Sequence, residues 1–451
     1  MPVHLGSMGS SVRHVLERVA SLQDGDVYLV NSPYAGGTHL PDITAVRPWF
    51  NHEGDLRFFV ASRAHHADVG GLTPGSMPAD STTIDQEGVL LDCFQLVADG
   101  VLREAELRSR LSNAEYPARN PERNVSDLKA QLAALQEGCG QIDRLVAAFG
   151  EATVDRYMHF VFHNARATVA GVIANLPDGN ARVILDDQSQ IDVALRVQSQ
   201  RLIVDFTGTS AQHPGNFNAP AAVTRAAVLY FLRVLAERDI PLNDGCLADV
   251  EIIVPEASML DPVFPAAVVA GNVETSQAVT NALFAASGQL AHGQGTMNNL
   301  TFGNDRVQYY ETIAGGSGAG AGFPGVGGVQ THMTNSRTTD PEILETRLPV
   351  RVLQFELRRG SGGKGQGAGG DGIVRRLEVL EPARASILSG NRRQTPSGIS
   401  GGENGAAGIN RIRRSDGALE TLPAVASTEL VAGDIIEIFT PGGGGFGNPE
   451  D

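Results

Sequence analysis

The stretch ITAVRPWFNHEGDLRFFVASRA, residues 43–64, contains two runs of β-branched, aromatic and other apolar residues around a polar link. Runs of this composition on either side of a turn-like segment predict a β-hairpin. The expected strands cover 43–50 and 56–64, and the expected turn is NHEGD at 51–55. The segment DVYLVN (26–31) has the same character and predicts a further strand before the hairpin.

Helices are predicted on both sides of this hairpin. Apolar residues at helical spacing predict a first helix over 7–22. Similar stripes predict a helix over 126–149, which begins at Ser126 and ends at Gly150, and another over 151–175. We expect these two long helices to form an antiparallel helical hairpin. Such a hairpin serves for contact with a partner, or its helices simply cover a sheet.

The C-terminal half is predicted to be rich in β-structure. ARVILDD, QIDVALRVQ and RLIVDFTG alternate in polarity after residue 180 and predict a meander, with helices following at about 219–238 and 274–291. Strands and helices do not alternate regularly. The predicted fold class is therefore α+β, with mixed, largely antiparallel sheets, a helical hairpin insertion and Gly-rich β loops in the C-terminal half. The predicted regions are a metal-site α/β region (1–110), the helical hairpin (111–178) and a β-rich region (179–451).

Glycine is distributed unevenly along the chain. About half of the 53 glycines lie in the segments 315–328, 360–372, 398–408 and 442–447. A G-X-Y repeat is missing, which argues against collagen, so tight turns, bulges and backbone packed close to a ligand or another chain remain as uses. The run SGGKGQGAGGDG (361–372) does not match a phosphate-binding loop and lies between strand-like segments. It is predicted to connect two strands.

Composition excludes several classes of protein. The 451 residues include 35 Lys and Arg against 51 Asp and Glu, and the resulting net charge of −16 disfavours non-specific binding to nucleic acid. A run of about 18 or more apolar residues, which a membrane span requires, is absent from the sequence. Three scattered cysteines are too few for a disulfide framework and indicate a reducing, cytoplasmic setting.

The densest group of potential metal ligands lies in GGTHLPD (36–42) and RAHHADVGG (63–71). A hairpin centred near Glu53 would place residue 42 opposite 64 and residue 41 opposite 65, which brings the two segments together. Imidazole and carboxylate groups suit Mn, Fe, Zn or Co. Adjacent strand residues face opposite sides, so only one of the paired histidines is expected to join the site. The candidates are His39, Asp42, His65, His66 and Asp68; the alternative is hydrogen-bonded histidines at a strand end.

A second polar segment, THMTNSRTTDPEILE (331–345), follows a glycine-rich run. Its Asn and Arg side chains suit a carbonyl or carboxylate substrate, which makes His332, Asn335 and Arg337 candidates for substrate binding. The alternative is a loop that ends in a capped helix, because Asp340, Pro341 and Glu342 form a typical helix start.

The segments NSPYAGGTHLPDI, RAHHADVGG, PGNFNAPAAVT, THMTNSRTTDPEILE and the SGGKG–GGDG run together resemble hydantoinase B. This family is shared with the C-terminal part of ATP-dependent oxoprolinases, and the chain is more distantly similar to a large subunit of the acetone carboxylases. The resemblance implies hydrolysis of a cyclic amide, such as a hydantoin, 5-oxoproline or a lactam. It also implies a hetero-oligomer in which a hydantoinase A-like partner binds ATP and phosphorylates the amide oxygen.

The resemblance also implies roles for individual residues. His39, Asp42 and His65 match the pattern that holds a divalent metal in the related carboxylases. In this chain, water at such a metal (Mn, Zn, Fe or Co) would attack the amide carbon that the partner has activated. Asp68 or His66 would orient the ligands or act as a catalytic base.

Family members begin upstream of Met1 and carry a further acidic ligand there, so we expect an under-coordinated site unless Glu87 or Asp68 supplies a carboxylate.

The sequence leaves two alternatives to the cyclic amide hydrolase function. The chain could be an alpha-type subunit of an ATP-dependent ketone carboxylase, or a non-catalytic assembly subunit.

Overall fold

In the computed structural model, which describes residues 1–304 and 306–449, five strands form the first sheet. Its order is β3-β2-β1-β4-β5, and all neighbouring strands are antiparallel. Because successive side chains of a strand point to opposite faces, Tyr28 and Val30 pack against the first helix, while Leu29 packs on the other face against the next two helices. The elements are β1 (Val27–Val30), β2 (Asp42–Phe50), β3 (Leu56–His65), β4 (Phe94–Ala98), β5 (Val101–Leu102), α1 (Met8–Arg18), α2 (Glu104–Ser112) and α3 (Pro121–Phe149).

The predicted hairpin is confirmed as β2 and β3, with a register that differs by one residue from the prediction. Asp42 lies opposite His65, where the sequence predicted residue 64. The register shifts at Phe50, which pairs with Leu56 while its neighbour pairs with Phe58, so that one additional residue enters β3. This β-bulge places the carboxylate and the imidazole directly opposite each other.

The two long predicted helices are present, and each covers a different sheet. α3 begins after Asn120, whose side chain accepts a hydrogen bond from the backbone N–H of Arg123, so the predicted start at Ser126 is wrong. α4 (Glu151–Asn175) follows directly after Gly150. α3 contacts β2 and β3 of the first sheet. α4 instead contacts a second sheet, described below, and a helix that packs on that sheet. Covering a sheet, the simpler of the two predicted roles, is therefore observed for both helices. Among the described helices, none is long and apolar enough to cross a membrane.

The second sheet contains the predicted meander. Its order is β6-β7-β8-β9, with β9 parallel to β8. The next two helices form one large core with this sheet, in which Phe231 and Phe284 pack at 5.2 Å between ring centres. A π-helical turn, Gly271–Thr275, leads directly into the second of these helices. The elements are β6 (Gly179–Ile184), β7 (Gln190–Gln198), β8 (Arg201–Asp205), β9 (Val250–Ile253), α5 (Ala221–Leu235) and α6 (Ser276–Ser287).

Two further antiparallel sheets, with orders β11-β10-β14-β17 and β12-β13-β18-β15-β16, make up the C-terminal part. Their apolar faces share one core, in which Leu300 and Ile387 meet Leu377 and Ile436. The predicted α+β class with largely antiparallel sheets is confirmed. The elements are β10 (Asn299–Gly303), β11 (Gln308–Thr312), α7 (Pro341–Arg347), β12 (Val350–Arg358), β13 (Gly372–Val379), β14 (Ala383–Leu388), β15 (Ile409–Arg413), β16 (Leu419–Leu422), β17 (Val425–Leu430) and β18 (Ile435–Phe439).

The four glycine-rich segments pack against one another through their backbones. A Cβ atom added to Gly443 would lie 1.9 Å from the carbonyl oxygen of Ser317. Gly442 and Gly445 both face the 361–364 segment, so the contacts repeat every three residues, as in a polyproline II helix. Close backbone approach is observed, but the approaching backbone belongs to other segments of this chain. Tight turns are observed as well, at Gly322, Gly360 and Gly401, whose φ values are positive. The run 361–372 connects β12 and β13, as predicted.

Candidate metal centre and its cleft

The three residues predicted as metal ligands lie together at one end of the hairpin. Nδ1 of His39 is 2.7 Å from Oδ2 of Asp42, and Nδ1 of His65 is 3.2 Å from the other carboxylate oxygen. The imidazole rings of His39 and His65 stack with 5.2 Å between their centres. One ligand atom from each residue lies within 4.8 Å of the others. The turn before β2 positions His39, because its carbonyl accepts a hydrogen bond from the backbone N–H of Asp42.

The donor set fits a divalent ion. Nδ1 of His39 is buried and lies 2.7 Å from Oδ2 of Asp42. The ring nitrogen and the carboxylate oxygen are close enough together to bind one ion. Two imidazoles and one carboxylate are ligands for Mn, Fe, Zn or Co, and three protein ligands leave coordination positions open. His39, Asp42 and His65 would hold such an ion.

The charge at this site comes from Asp42. Burial raises the pKa of this carboxyl, but the nearby His39 and His4 outweigh burial and hold the pKa well below its usual value. The hydroxyl of Thr38 donates to Asp42 and fixes its second oxygen at 2.9 Å. Asp42 therefore supplies a buried negative charge to the two imidazoles.

His4 is a member of the site that sequence reasoning missed. Its Nε2 lies 3.4 Å from Oδ2 of Asp42, and its Nδ1 lies 3.2 Å from the hydroxyl oxygen of Thr38. Burial lowers the pKa of His4 to about 4, so its imidazole is neutral near pH 7 and offers a further nitrogen. This histidine stands alone in the first turn of the chain, Pro2–His4, without a motif around it, so no local signal could have identified it.

His66 lies on the opposite side of the strand end, as backbone alternation predicts. It is 0% exposed, and its ring nitrogens lie 3.2 Å from Oε1 of Gln131 and from Nδ2 of Asn124. Burial also lowers its pKa. These contacts anchor α3 to the hairpin and do not face the three-ligand group. A catalytic role for His66 stays a prediction.

The two carboxylates considered as additional ligands are engaged elsewhere. Asp68 accepts hydrogen bonds from the backbone of Gly70 and Gly75 and from the backbone and guanidinium of Arg119. Glu87 accepts from the backbone of Val268 and Val269 and from the hydroxyl of Ser81. Neither carboxylate belongs to the three-ligand group. Asp68 as a catalytic base likewise stays a prediction, and its contacts favour a structural role.

The three residues predicted to bind substrate do not line the cleft that contains His65. His332 is buried, stacks on Phe284 with 5.3 Å between ring centres, and touches Tyr230. Asn335 and Arg337 are exposed. The alternative, a capped helix start, is observed, because Asp340 accepts a hydrogen bond from the backbone N–H of Glu342 at the start of α7. Substrate binding by these residues stays a prediction.

The candidate metal centre opens into a cleft through His65, whose side chain is 41% exposed. This cleft has a volume of about 670 Å³. The cleft is bordered by β11 and by α3, which contribute Tyr309, Tyr310, Arg123 and Asp127. A smaller cavity of about 230 Å³ shares Ala67, Arg123 and Gln308 with the cleft, and it is also lined by Arg119 and Arg306. The sequence could not indicate the β11 tyrosines, because they come from a strand more than 200 residues away.

The chain belongs to the hydantoinase B/oxoprolinase family, whose model matches residues 1–449. It is 46% identical to 5-oxoprolinase 1 of Arabidopsis thaliana over 99% of this chain, and 42% identical to 5-oxoprolinase of Dictyostelium discoideum over 100%. The chain spans 37% and 36% of these two relatives. It is also 34% identical to an uncharacterized protein of Methanocaldococcus jannaschii, of which it covers 81%. The resemblance seen in the sequence is thereby confirmed.

Two solved structures share the fold. The ATP-dependent caprolactamase from Pseudomonas jessenii superposes with a TM-score of 0.88 at 24% identity, over 99% of this chain and 82% of that one. The nucleotide-free acetone carboxylase superposes with a TM-score of 0.87 at 18% identity, over 99% of this chain and 68% of that one. At these identities the likeness establishes the fold alone.

Proposed function

We propose that this chain is the metal-dependent, ring-opening component of an ATP-dependent cyclic amide hydrolase. The substrate class comprises hydantoins, 5-oxoproline and lactams. The observation that carries the proposal is the group His39, Asp42 and His65, which has a metal-ligand composition and opens through His65 into a cleft. Membership of the hydantoinase B/oxoprolinase family supports the choice of reaction. Relatives named 5-oxoprolinase and a structural neighbour named caprolactamase support the choice of substrate class.

The residues of this chain would bind, orient and deprotonate the reactants. A divalent ion, when bound, would lower the pKa of a water molecule and favour its attack on the carbon that phosphorylation has activated. Asp42 is held by Thr38, so the ligand geometry is fixed in advance. Asp127 lines the same cleft as His65 and is a carboxylate placed to accept a proton, in contrast to Asp68. Arg123 lines both the cleft and the smaller cavity and would attract a phosphorylated, anionic intermediate.

ATP is assigned to a hydantoinase A-like partner. The glycine-rich run 361–372 connects two strands and packs against other glycine segments, so it offers no helix N-terminus to a phosphate. The proposal therefore includes a cytoplasmic hetero-oligomer in which the partner phosphorylates the amide and this chain opens the ring. A ketone carboxylase has less support, because the likeness to acetone carboxylase is 18% in sequence and concerns the fold.

A reconstitution experiment tests this function. The chain is purified with a hydantoinase A-like protein, stripped of metal with a chelator, and assayed on 5-oxoproline, hydantoin and caprolactam. We expect ring-opened product only when both proteins, ATP and one of Mn, Zn, Fe or Co are present. Rapid ring opening by the isolated chain, or full activity after metal removal, would contradict the proposal.

A further inference from the structure

A second group of potential metal ligands joins α1 to the segment that precedes β4. It consists of His14, Asp92 and Cys93, and one ligand atom from each residue lies within 4.8 Å of the others. His14 belongs to the second half of α1, and Cys93 directly precedes β4. None of the three takes part in the proposed hydrolysis, so this group, called the Cys93 group below, needs an explanation of its own.

The two oxygens of Asp92 have different partners. Oδ1 lies 2.6 Å from Nε2 of His14, and Oδ2 lies 3.2 Å from the guanidinium of Arg18. Because the side chain of Arg18 is 62% exposed, this ion pair is weak and leaves the carboxylate available. A metal ion can bind Oδ1 and the imidazole nitrogen in place of their mutual hydrogen bond, while Arg18 stays at Oδ2.

The backbone of Cys93 directs its thiol toward the same helix. Its φ of 51° lies in the left-handed region, which residues other than glycine seldom adopt. Sγ lies 4.0 Å from the carbonyl oxygen of His14. The chain keeps this unfavourable backbone conformation, and the conformation brings a third type of ligand atom to His14 and Asp92.

Both halves of the Cys93 group are held in place by the fold. Val15, the neighbour of His14 in α1, shares one apolar cluster with Tyr28 and Val30 of the first sheet. Phe94, the neighbour of Cys93, pairs with Leu29 of β1. The ligand atoms therefore converge before an ion is bound, which reduces the ordering that binding requires.

The three types of ligand atom select a class of ion. Imidazole nitrogen, carboxylate oxygen and thiolate sulfur all bind Zn²⁺, whereas Mn²⁺, Mg²⁺ and Ca²⁺ favour oxygen ligands. Burial, and then Asp92, raises the pKa of the Cys93 thiol to about 11, so the thiol keeps its proton until an ion binds. Binding forms a metal–sulfur bond and releases this proton to solvent. The thiolate and the carboxylate then balance the charge of a divalent ion.

We propose that His14, Asp92 and Cys93 bind a zinc ion that fastens α1 to the start of β4. The fourth position of a tetrahedral site is left for water. The first half of α1 is already joined to β3, because Ser11 accepts a hydrogen bond from the guanidinium of Arg63. An ion at the Cys93 group would complete the attachment of this helix to the first sheet. The proposal is independent of the proposed hydrolase function.

Cobalt reports directly on the sulfur ligand. A thiolate gives bound Co²⁺ an intense charge-transfer absorption in the near ultraviolet, which nitrogen and oxygen ligands do not give. The reduced, metal-free chain carrying Asp42→Asn is titrated with Co²⁺, so that the ligand group of His39, Asp42 and His65 is disabled. We expect the absorption to saturate with a single Co²⁺ per chain. Zn²⁺ should displace the cobalt and Mn²⁺ should not, so a manganese titration reports on the Asp42 site alone.

Substitutions in the same Asp42→Asn background identify the ligands. Cys93→Ser should abolish the absorption, and His14→Ala should weaken Co²⁺ binding at least about tenfold. Cys139→Ser, at a buried cysteine outside the group, is the matched control and should keep both the absorption and the affinity. If Cys93→Ser does not fold, His14→Ala decides the question. No absorption in the background protein, an undiminished absorption in Cys93→Ser, unchanged affinity in His14→Ala, or loss of the absorption in Cys139→Ser would overturn the proposal.

Discussion

Substituting the two adjacent histidines at the end of β3 should have opposite consequences. His65 is partly exposed and its ring lies beside Asp42, whereas His66 is fully buried and contacts Gln131 and Asn124. We expect His65→Ala to lower metal affinity with little effect on stability. His66→Ala should lower stability with little effect on metal affinity. His52→Ala, in the exposed turn of the same hairpin, is the matched control.

The magnitudes follow from the contacts that each substitution removes. Without His66, the Oε1 atom of Gln131 loses its partner, which costs about 1–3 kcal/mol. The space left by the buried ring adds a cavity cost, so a total loss of about 3 kcal/mol or more is expected. His65→Ala removes a half-exposed ring, and its stability cost should be about 1 kcal/mol or less. Loss of one of three ligands should weaken metal binding by at least about 100-fold.

Two measurements on the wild type, His65→Ala, His66→Ala and His52→Ala distinguish a metal ligand from a structural histidine. Calorimetric titration of the metal-free proteins with Mn²⁺ or Zn²⁺ gives affinity, and denaturant unfolding of the metal-free proteins gives stability. His52→Ala should match the wild type in both. Equal metal affinity in His65→Ala and the wild type would refute the assignment of His65 as a metal ligand. Weak metal binding by a His66→Ala variant that is as stable as the wild type would assign the ligand role to His66 instead.

Three further substitutions test other parts of the account. Gly443→Ala should destabilise the protein by about 3 kcal/mol or more, since its Cβ would meet a carbonyl oxygen; Gly171→Ala, which has open space around it, should be harmless in the same unfolding experiment. Asp68→Asn should cost about 2–4 kcal/mol without changing metal affinity, because four donors lose their carboxylate; a stable variant that loses activity would instead indicate catalysis. Burial lowers the pKa of His332 to about 4, below its unfolded value, so protonation favours the unfolded chain as the pH falls from 6.5 to 4. His332→Phe should gain up to about 3 kcal/mol over the wild type across this range, and a constant difference would contradict the reasoning.

Local patterns were sufficient to predict the elements that carry the candidate metal centre. The apolar runs defined β2 and β3, and the polarity of GGTHLPD and RAHHADVGG identified His39, Asp42 and His65. The register error of one residue arose at a β-bulge near Phe50, where composition does not indicate an additional residue. The helix start at Ser126 was misplaced, because Asn120 followed by proline forms the actual cap.

Contacts between distant segments were beyond sequence reasoning. His4 joins the candidate metal centre beside Asp42, and Tyr310 joins its cleft, through chain folding that no local pattern encodes. The polar segment with His332 looked suited to substrate, but His332 stacks in the core on Phe284. The glycine clusters were recognised as unusual, while their mutual packing follows from four segments that meet only in the folded chain.

The most direct test concerns Asp42, the only anionic member of the three-ligand group. In the complex with a hydantoinase A-like partner, Asp42→Asn keeps the shape of the side chain and removes its charge. The account predicts that bound metal is lost and ring opening falls at least about 100-fold, while ATP-dependent phosphorylation by the partner continues. Ring opening by Asp42→Asn at the wild-type rate would contradict the central claim that this carboxylate, with His39 and His65, holds the metal on which the reaction depends.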